Sequence, residues 1–153
     1  MKKILLVLIL VAGLYWAFKS KDAPVPSSAP AVATPAKPVA GKTFNKLFPS
    51  SAEGFEVQFT QEKEGYAQAD LLKNGKKLAQ LSVSDTQANP SARDKFNNTT
   101  QKIAGQPAAA VGSMGTAILV AGRYQVQVRS LDPSFRANDR EAWIAKFKLG
   151  DLQ

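Results

Sequence analysis

Hydrophobic and polar positions divide this chain into three stretches. The first is an unbroken apolar run from Ile4 to Phe18, bounded by Lys2 and Lys3 before it and by Lys19 and Lys21 after it. The run predicts a membrane helix built on Ile4, Leu5, Leu6, Leu8, Leu10 and Leu14. Tyr15, Trp16 and Phe18 stand at its end, where amphipathic rings prefer the bilayer interface. Its fifteen residues, at about 1.5 Å each, cover roughly 22 Å of a ~30 Å hydrocarbon core, so the flanking lysines must snorkel to set its depth. A cleaved signal peptide is the competing reading, since such apolar regions run about 7–15 residues. Val11-Ala12-Gly13 fits a cleavage pattern only inside the run, and Ala31-Val32-Ala33 lies far beyond it, which favours a retained anchor over residues 1–21.

From residue 22 to 42 the pattern dissolves. Pro24, Pro26, Pro30, Pro35 and Pro38 alternate with Ala, Val and Ser, a composition that favours extended polyproline II over a packed core. This stretch reads as a linker holding the third, residues 43–153, away from the membrane.

In that third stretch the period shortens to two. Phe55 to Thr60, Tyr66 to Leu72 and Leu78 to Ser84 alternate apolar and polar residues, as half-buried strands do. Glu64-Gly65 breaks the first pair, and Asn74-Gly75 is a hairpin turn whose two residues tolerate positive φ. Pro107 to Val111 predicts a short edge strand, where proline is tolerated. Thr116 to Val120 and Arg123 to Ser130 predict two more strands, joined at Ala121-Gly122. Two helices interrupt this order. Asn89-Pro90 opens one, with Ala92, Phe96, Thr99 and Ile103 on one face and Gly105 as its stop. Asn138 and Glu141 have capping-box spacing for the other, whose apolar stripe is Trp143, Ile144 and Phe147, with Gly150 ending it. Phe44, Leu47 and Phe48 are expected to cap the sheet. The predicted fold is α+β: an antiparallel sheet of five or six strands with two helices packed on one face. Its order resembles that of small extracytoplasmic α+β modules used as accessory subunits, PsbP-type folds among them, in architecture alone.

Composition narrows the chemistry. The chain has neither cysteine nor histidine, so disulfides, thiolate or imidazole nucleophile pairs and imidazole metal sites are excluded within it. No cofactor or metal is expected. The net charge of +8 suggests nucleic acid at first sight. Residues 1–41 carry five lysines against Asp22, and residues 42–153 carry fifteen basic and eleven acidic groups. Half of the excess therefore flanks the predicted span, and no basic cluster with interleaved aromatics remains to bind nucleic acid. Neither a GxxxxGK(S/T) nor a GxGxxG phosphate cradle occurs. Glu62 and Glu64 flank Lys63 and read as solvated charge. Asp132, Arg136, Asp139, Arg140 and Glu141 crowd one region and read as supports of a turn and a helix N-terminus.

One pattern is less ordinary. The polar positions of the strands are mostly uncharged: Gln58, Gln68, Gln80, Ser82, Ser84, Gln125 and Gln127, with Arg123 and Arg129 at the ends. On one sheet face they would form a broad, weakly charged surface that desolvates cheaply, with arginines suited to contacts. Gln68, Gln80, Arg123, Gln125, Gln127 and Arg129 are the candidate partner-docking residues. The expectation is a non-enzymatic, single-pass protein anchored in the bilayer by its N-terminal helix. Its domain lies on the extracytoplasmic side and contacts a protein partner, a membrane complex or an envelope component. A small apolar or lipid ligand held between sheet and helices is the second reading, and a hydrolase using carboxylates or a Ser-Lys pair is the third.

Overall fold

The computed structural model describes residues 36–153. The predicted anchor, Ile4 to Phe18, and most of the linker lie outside the described residues. No described helix is long and apolar enough to cross a membrane.

A seven-stranded antiparallel sheet organises the domain. Its strands are β1 (Phe55–Lys63), β2 (Tyr66–Lys73), β3 (Lys76–Asp85), β4 (Lys102–Ile103), β5 (Gln106–Val111), β6 (Gly115–Val120) and β7 (Tyr124–Ser130), in the spatial order β1-β2-β3-β7-β6-β5-β4. Two meanders thus meet where β3 pairs with β7. The hairpin turns follow from local chemistry: Asn74 and Gly75, and Ala121 and Gly122, all take positive φ.

Register explains the core. Ala67 faces Val83, Val83 faces Val126, Val126 faces Ile118, and Ile118 faces Ala108, so one apolar row crosses five strands. Every side chain of that row is fully buried. Two short helices, α1 (Gly41–Phe44) and α2 (Ala137–Ile144), contribute to the cover on this face. Phe44, Leu47 and Phe48 from α1 and the turn after it meet Trp143, Ile144 and Phe147 from the C-terminal segment in a single cluster. Phe48 stacks on Phe147 with ring centroids 5.2 Å apart.

Three expectations need correction. The sheet has seven strands rather than five or six, because the two-residue β4 pairs outside β5 and takes the edge from Pro107. The helix expected through Ile103 is a 3-10 helix, Pro90–Phe96. After it, Asn97 to Thr100 are poor helix formers, and Thr99 Oγ1 donates to the Ala108 carbonyl (2.5 Å), drawing the chain toward the sheet. Phe96 and Ile103 also serve different sides: Ile103 belongs to the main core, whereas Phe96 is buried outside it. The 3-10 helix lies over the opposite face, where Lys95 donates to Gln125 Oε1 (2.6 Å), so the helical elements do not all share one face. Finally, α2 starts two residues early. Its reciprocating pair is Arg136 and Asp139, with the Arg136 N–H donating to Asp139 Oδ2 (2.7 Å), and the helix ends at Ile144, well before Gly150.

Candidate functional site

The face opposite the apolar core carries the uncharged polar residues, and strand pairing sorts them into rows. Gln58 faces Asp70, Asp70 faces Gln80, and Gln80 faces Arg129. In the next row Gln61 faces Gln68, Gln68 faces Ser82, and Ser82 faces Gln127. In the third, Tyr66 faces Ser84 and Ser84 faces Gln125. Directly opposed residues project from the same side of a sheet. Gln68, Gln80, Gln125, Gln127 and Arg129 are therefore brought together on one face.

Hydrogen bonds hold parts of this surface in place. Tyr66 Oη donates to Gln68 Oε1 (2.6 Å), and Gln68 Nε2 donates to Thr60 Oγ1 (3.1 Å). Burial pushes the Tyr66 hydroxyl up from its ordinary value, with a bond to Ser82 partly opposing it. Gln125 Nε2 donates to Gln127 Oε1 (3.1 Å), while Lys95 anchors Gln125 from the far side. Burial pulls the Lys95 ammonium down, against the nearby Asp94 charge. Asp70, the one carboxylate among these rows, is buried and ion-paired with Lys77 at 2.5 Å. Arg129 is exposed and enters no ion pair among the described residues. The Pro90–Phe96 helix packs on β5 and β6, leaving the β1-β2-β3-β7 side as the broader polar area.

Arg123 belongs elsewhere. Its Nε and Nη2 donate to Asp85 Oδ1 (2.9 Å) and Oδ2 (2.6 Å), a bidentate pair at the end of the sheet. Asp85 also accepts from the backbone N–H groups of Gln87 (3.1 Å) and Val39 (3.2 Å). Burial alone would push this carboxyl up, but Arg123 and the two backbone donors overturn that and hold it below the usual carboxylate range. Sequence reading passed over Asp85 as a site residue, although a signal existed: it follows Leu81 and Val83 in the apolar register of β3.

The other charged groups have local partners. Asp132 pairs with Lys76 and accepts from the Ser134 N–H (2.9 Å); these two neighbours hold its carboxyl well below the ordinary range. Arg140 is buried, donating from Nε to Thr116 Oγ1 (3.0 Å) and from Nη1 to Ser130 Oγ (2.9 Å). Glu141 accepts from Gln101 (3.3 Å), Glu62 accepts from Asn45, and Glu64 lies 3.9 Å from Lys37. Among the described residues no three acidic side chains converge as a metal site would need. The aromatic cluster occupies much of the space between sheet and helices, and a partly enclosed cavity of about 220 Å³ remains beside Phe44, Leu47, Tyr124 and Leu152. A cavity of about 540 Å³ lies at the surface, lined by Lys37, Lys42, Glu62, Lys63 and Glu64 among others.

No protein-family model, curated protein or solved structure matches the chain.

Proposed function

We propose that this protein is a single-pass, membrane-anchored accessory or scaffold protein whose extracytoplasmic domain docks on a membrane complex or envelope component. The observation that carries the reading is the lysine-bounded apolar run Ile4 to Phe18, followed at once by a Pro/Ala-rich linker. An anchor raises the local concentration of the domain at the bilayer, so a partner there needs little intrinsic affinity. The docking surface in this reading is the glutamine face. Its amides and hydroxyls are cheap to desolvate compared with charges, and exposed Arg129 is a residue type enriched in contacts. Docking here is non-enzymatic and uses no cofactor.

The test is solubilisation of membranes in mild detergent followed by cross-linking and affinity capture of the full chain. A discrete co-purifying partner is expected. It should be lost when Gln80, Gln125 and Gln127 are replaced together by glutamate, while the thermal midpoint stays within a few degrees. Recovery of free monomer alone would overturn the reading, and an unchanged partner with the triple variant would overturn the face assignment.

A further inference from the structure

Residues 37–39, assigned to the linker from sequence, lie across the end of the sheet. The Val39 N–H donates to Asp85 Oδ2 (3.2 Å), and the Val39 carbonyl accepts from the Gly65 N–H (2.6 Å). Pro38 rests on Gly65, where an added Cβ would meet the proline Cβ at 3.2 Å. The Val39 side chain packs against the main core. With Phe44, Leu47, Tyr124 and Leu152 it helps line a partly enclosed cavity of about 220 Å³.

Two features set this segment apart from the strands beside it. First, Asp85 keeps both nitrogens of Arg123 and the Gln87 N–H when Val39 leaves, and Arg123 Nη2 gives up only its 3.5 Å bond to the Lys37 carbonyl, so removing the segment orphans no buried charge. Second, the Gly65 N–H and Val39 carbonyl would turn directly to water, whereas opening β3 would tear hydrogen bonds from both β2 and β7. Few buried contacts and water-replaceable hydrogen bonds are the marks of a low-stability unit.

We propose that Lys37–Val39 is a strap that leaves the sheet end by local opening, without unfolding of the domain, and that its departure widens the cleft that Phe44, Leu47, Tyr124 and Leu152 line together with Thr43, Lys46 and Asp151. The strap is the point where the linker joins the sheet. Whatever holds or pulls the linker therefore acts on the cover of that cleft. Asp85 is the catch, positioned by Arg123 and able to release Val39 while itself remaining satisfied.

The chain contains no cysteine, so a single introduced thiol reports on one position. Val39→Cys, Ala36→Cys and Val83→Cys are compared in the full chain in mild detergent, by maleimide labelling across a urea series. Ala36 is exposed and Val83 fully buried in β3. The hydrogen bonds from the Val39 N–H to the Asp85 carboxylate and from the Gly65 N–H to the Val39 carbonyl predict that V39C labels about 5- to 150-fold more slowly than A36C, with a rate nearly independent of low urea. V83C should label only through global unfolding, with a steep urea dependence. A V39C rate with the urea dependence of V83C would overturn the strap, and so would a rate equal to that of A36C. In the unmodified chain, the Gly65 amide, bonded to Val39, should exchange with deuterium at least about tenfold faster than the Asp85 amide, bonded to Gly65. Equal protection of the two would also refute local opening.

Discussion

Replacing Gly41 by alanine tests how closely the N-terminal helix sits on the sheet. Glycine to alanine at a compatible helical position ordinarily stabilises a protein by about 0.4–1 kcal/mol, because it narrows the unfolded ensemble. At Gly41 the sign should reverse. A Cβ there would lie 2.2 Å from the Lys63 carbonyl oxygen, 2.3 Å from that of Tyr66 and 2.8 Å from the Lys63 nitrogen, all closer than real Cβ atoms come. These atoms are backbone, at the closing pair of the β1–β2 hairpin, so no rotamer change relieves the clash. The first turn of α1 must lift by something on the order of 1 Å and draw Phe44 and Leu47, each 1% exposed, outward from the core. Overpacking of this kind costs about 1–3 kcal/mol, and complete burial of each displaced side chain is worth about 1.5–3 kcal/mol. With partial displacement, the expected loss is about 2–3 kcal/mol, or about 10 °C in thermal midpoint for a domain of this size. Urea unfolding followed by circular dichroism in mild detergent measures it. Gly150→Ala is the control, since a Cβ there meets nothing within 4 Å and the backbone needs no positive φ; it should be neutral or slightly stabilising. A G41A variant as stable as the parent would refute the close approach.

Substitutions at three further positions probe other parts of the structure. Ala121 holds φ +51° in the β6–β7 turn, a conformation that costs a non-glycine residue about 1–2 kcal/mol, so Ala121→Gly should raise stability by about 1 kcal/mol in urea unfolding. Arg140 is buried against hydroxyl partners with no carboxylate ion-paired to it among the described residues. Arg140→Met, which keeps volume and removes the charge, should lie within about 1.5 kcal/mol of the parent, and Arg140→Ala should cost about 2 kcal/mol or more through its cavity. Asp85 has a folded-state value below its unfolded value of about 3.9, so its contribution to stability is present above about pH 4 and is lost as pH falls through the folded value. Asp85→Asn should therefore be less stable than the parent at pH 7, with the gap closing below about pH 4; a gap constant down to pH 2 would contradict the assignment.

The legible parts of the fold were those where one face of a strand is buried. Ala67, Ala69 and Leu71, like Leu81 and Val83, announce their side by period two, and Asn74-Gly75 marks the turn between them, although a bulge between Leu71 and Leu72 shifts the register that the turn alone would set. Parity within each strand left open whether Gln68, Gln80, Gln125 and Gln127 share a face, and it is the strand pairing that joins them. Illegibility had separate causes. A two-residue strand such as β4 has no period to detect. Phe96 and Ile103 shared a helical spacing although the chain between them passes from one side of the sheet to the other. At α2, Asp139 caps a backbone N–H of Arg136, a residue type that carries no N-cap signature of its own. Arg123 has the parity of the glutamine face, yet a buried carboxylate captures its side chain. Parity predicts where a side chain starts, and charge pairing decides where a long one ends.

The sheet edges narrow how a partner can dock. An exposed edge strand invites main-chain pairing, and both edges here are occupied in part by the chain itself. Along β1, the Val57 N–H donates to Ser51 Oγ (3.0 Å), the Phe55 N–H to the Ala52 carbonyl (2.9 Å), and a bulge breaks the strand between Phe59 and Gln61. On the other side, Ala108 donates to the Gln101 carbonyl (2.9 Å) and accepts from Thr99, Pro107 has no N–H to offer, and β4 is two residues long. Strand addition at Phe55–Val57 or along β5 would have to displace these contacts. The apolar face is largely covered as well, by the aromatic cluster over it. In the proposed reading the partner engages side chains rather than main chain, on the sheet face where amides and hydroxyls outnumber charges. Recognition then rests on side-chain identity at Gln80, Gln127 and Arg129, and a proline placed on either edge is expected to leave capture of the partner unchanged.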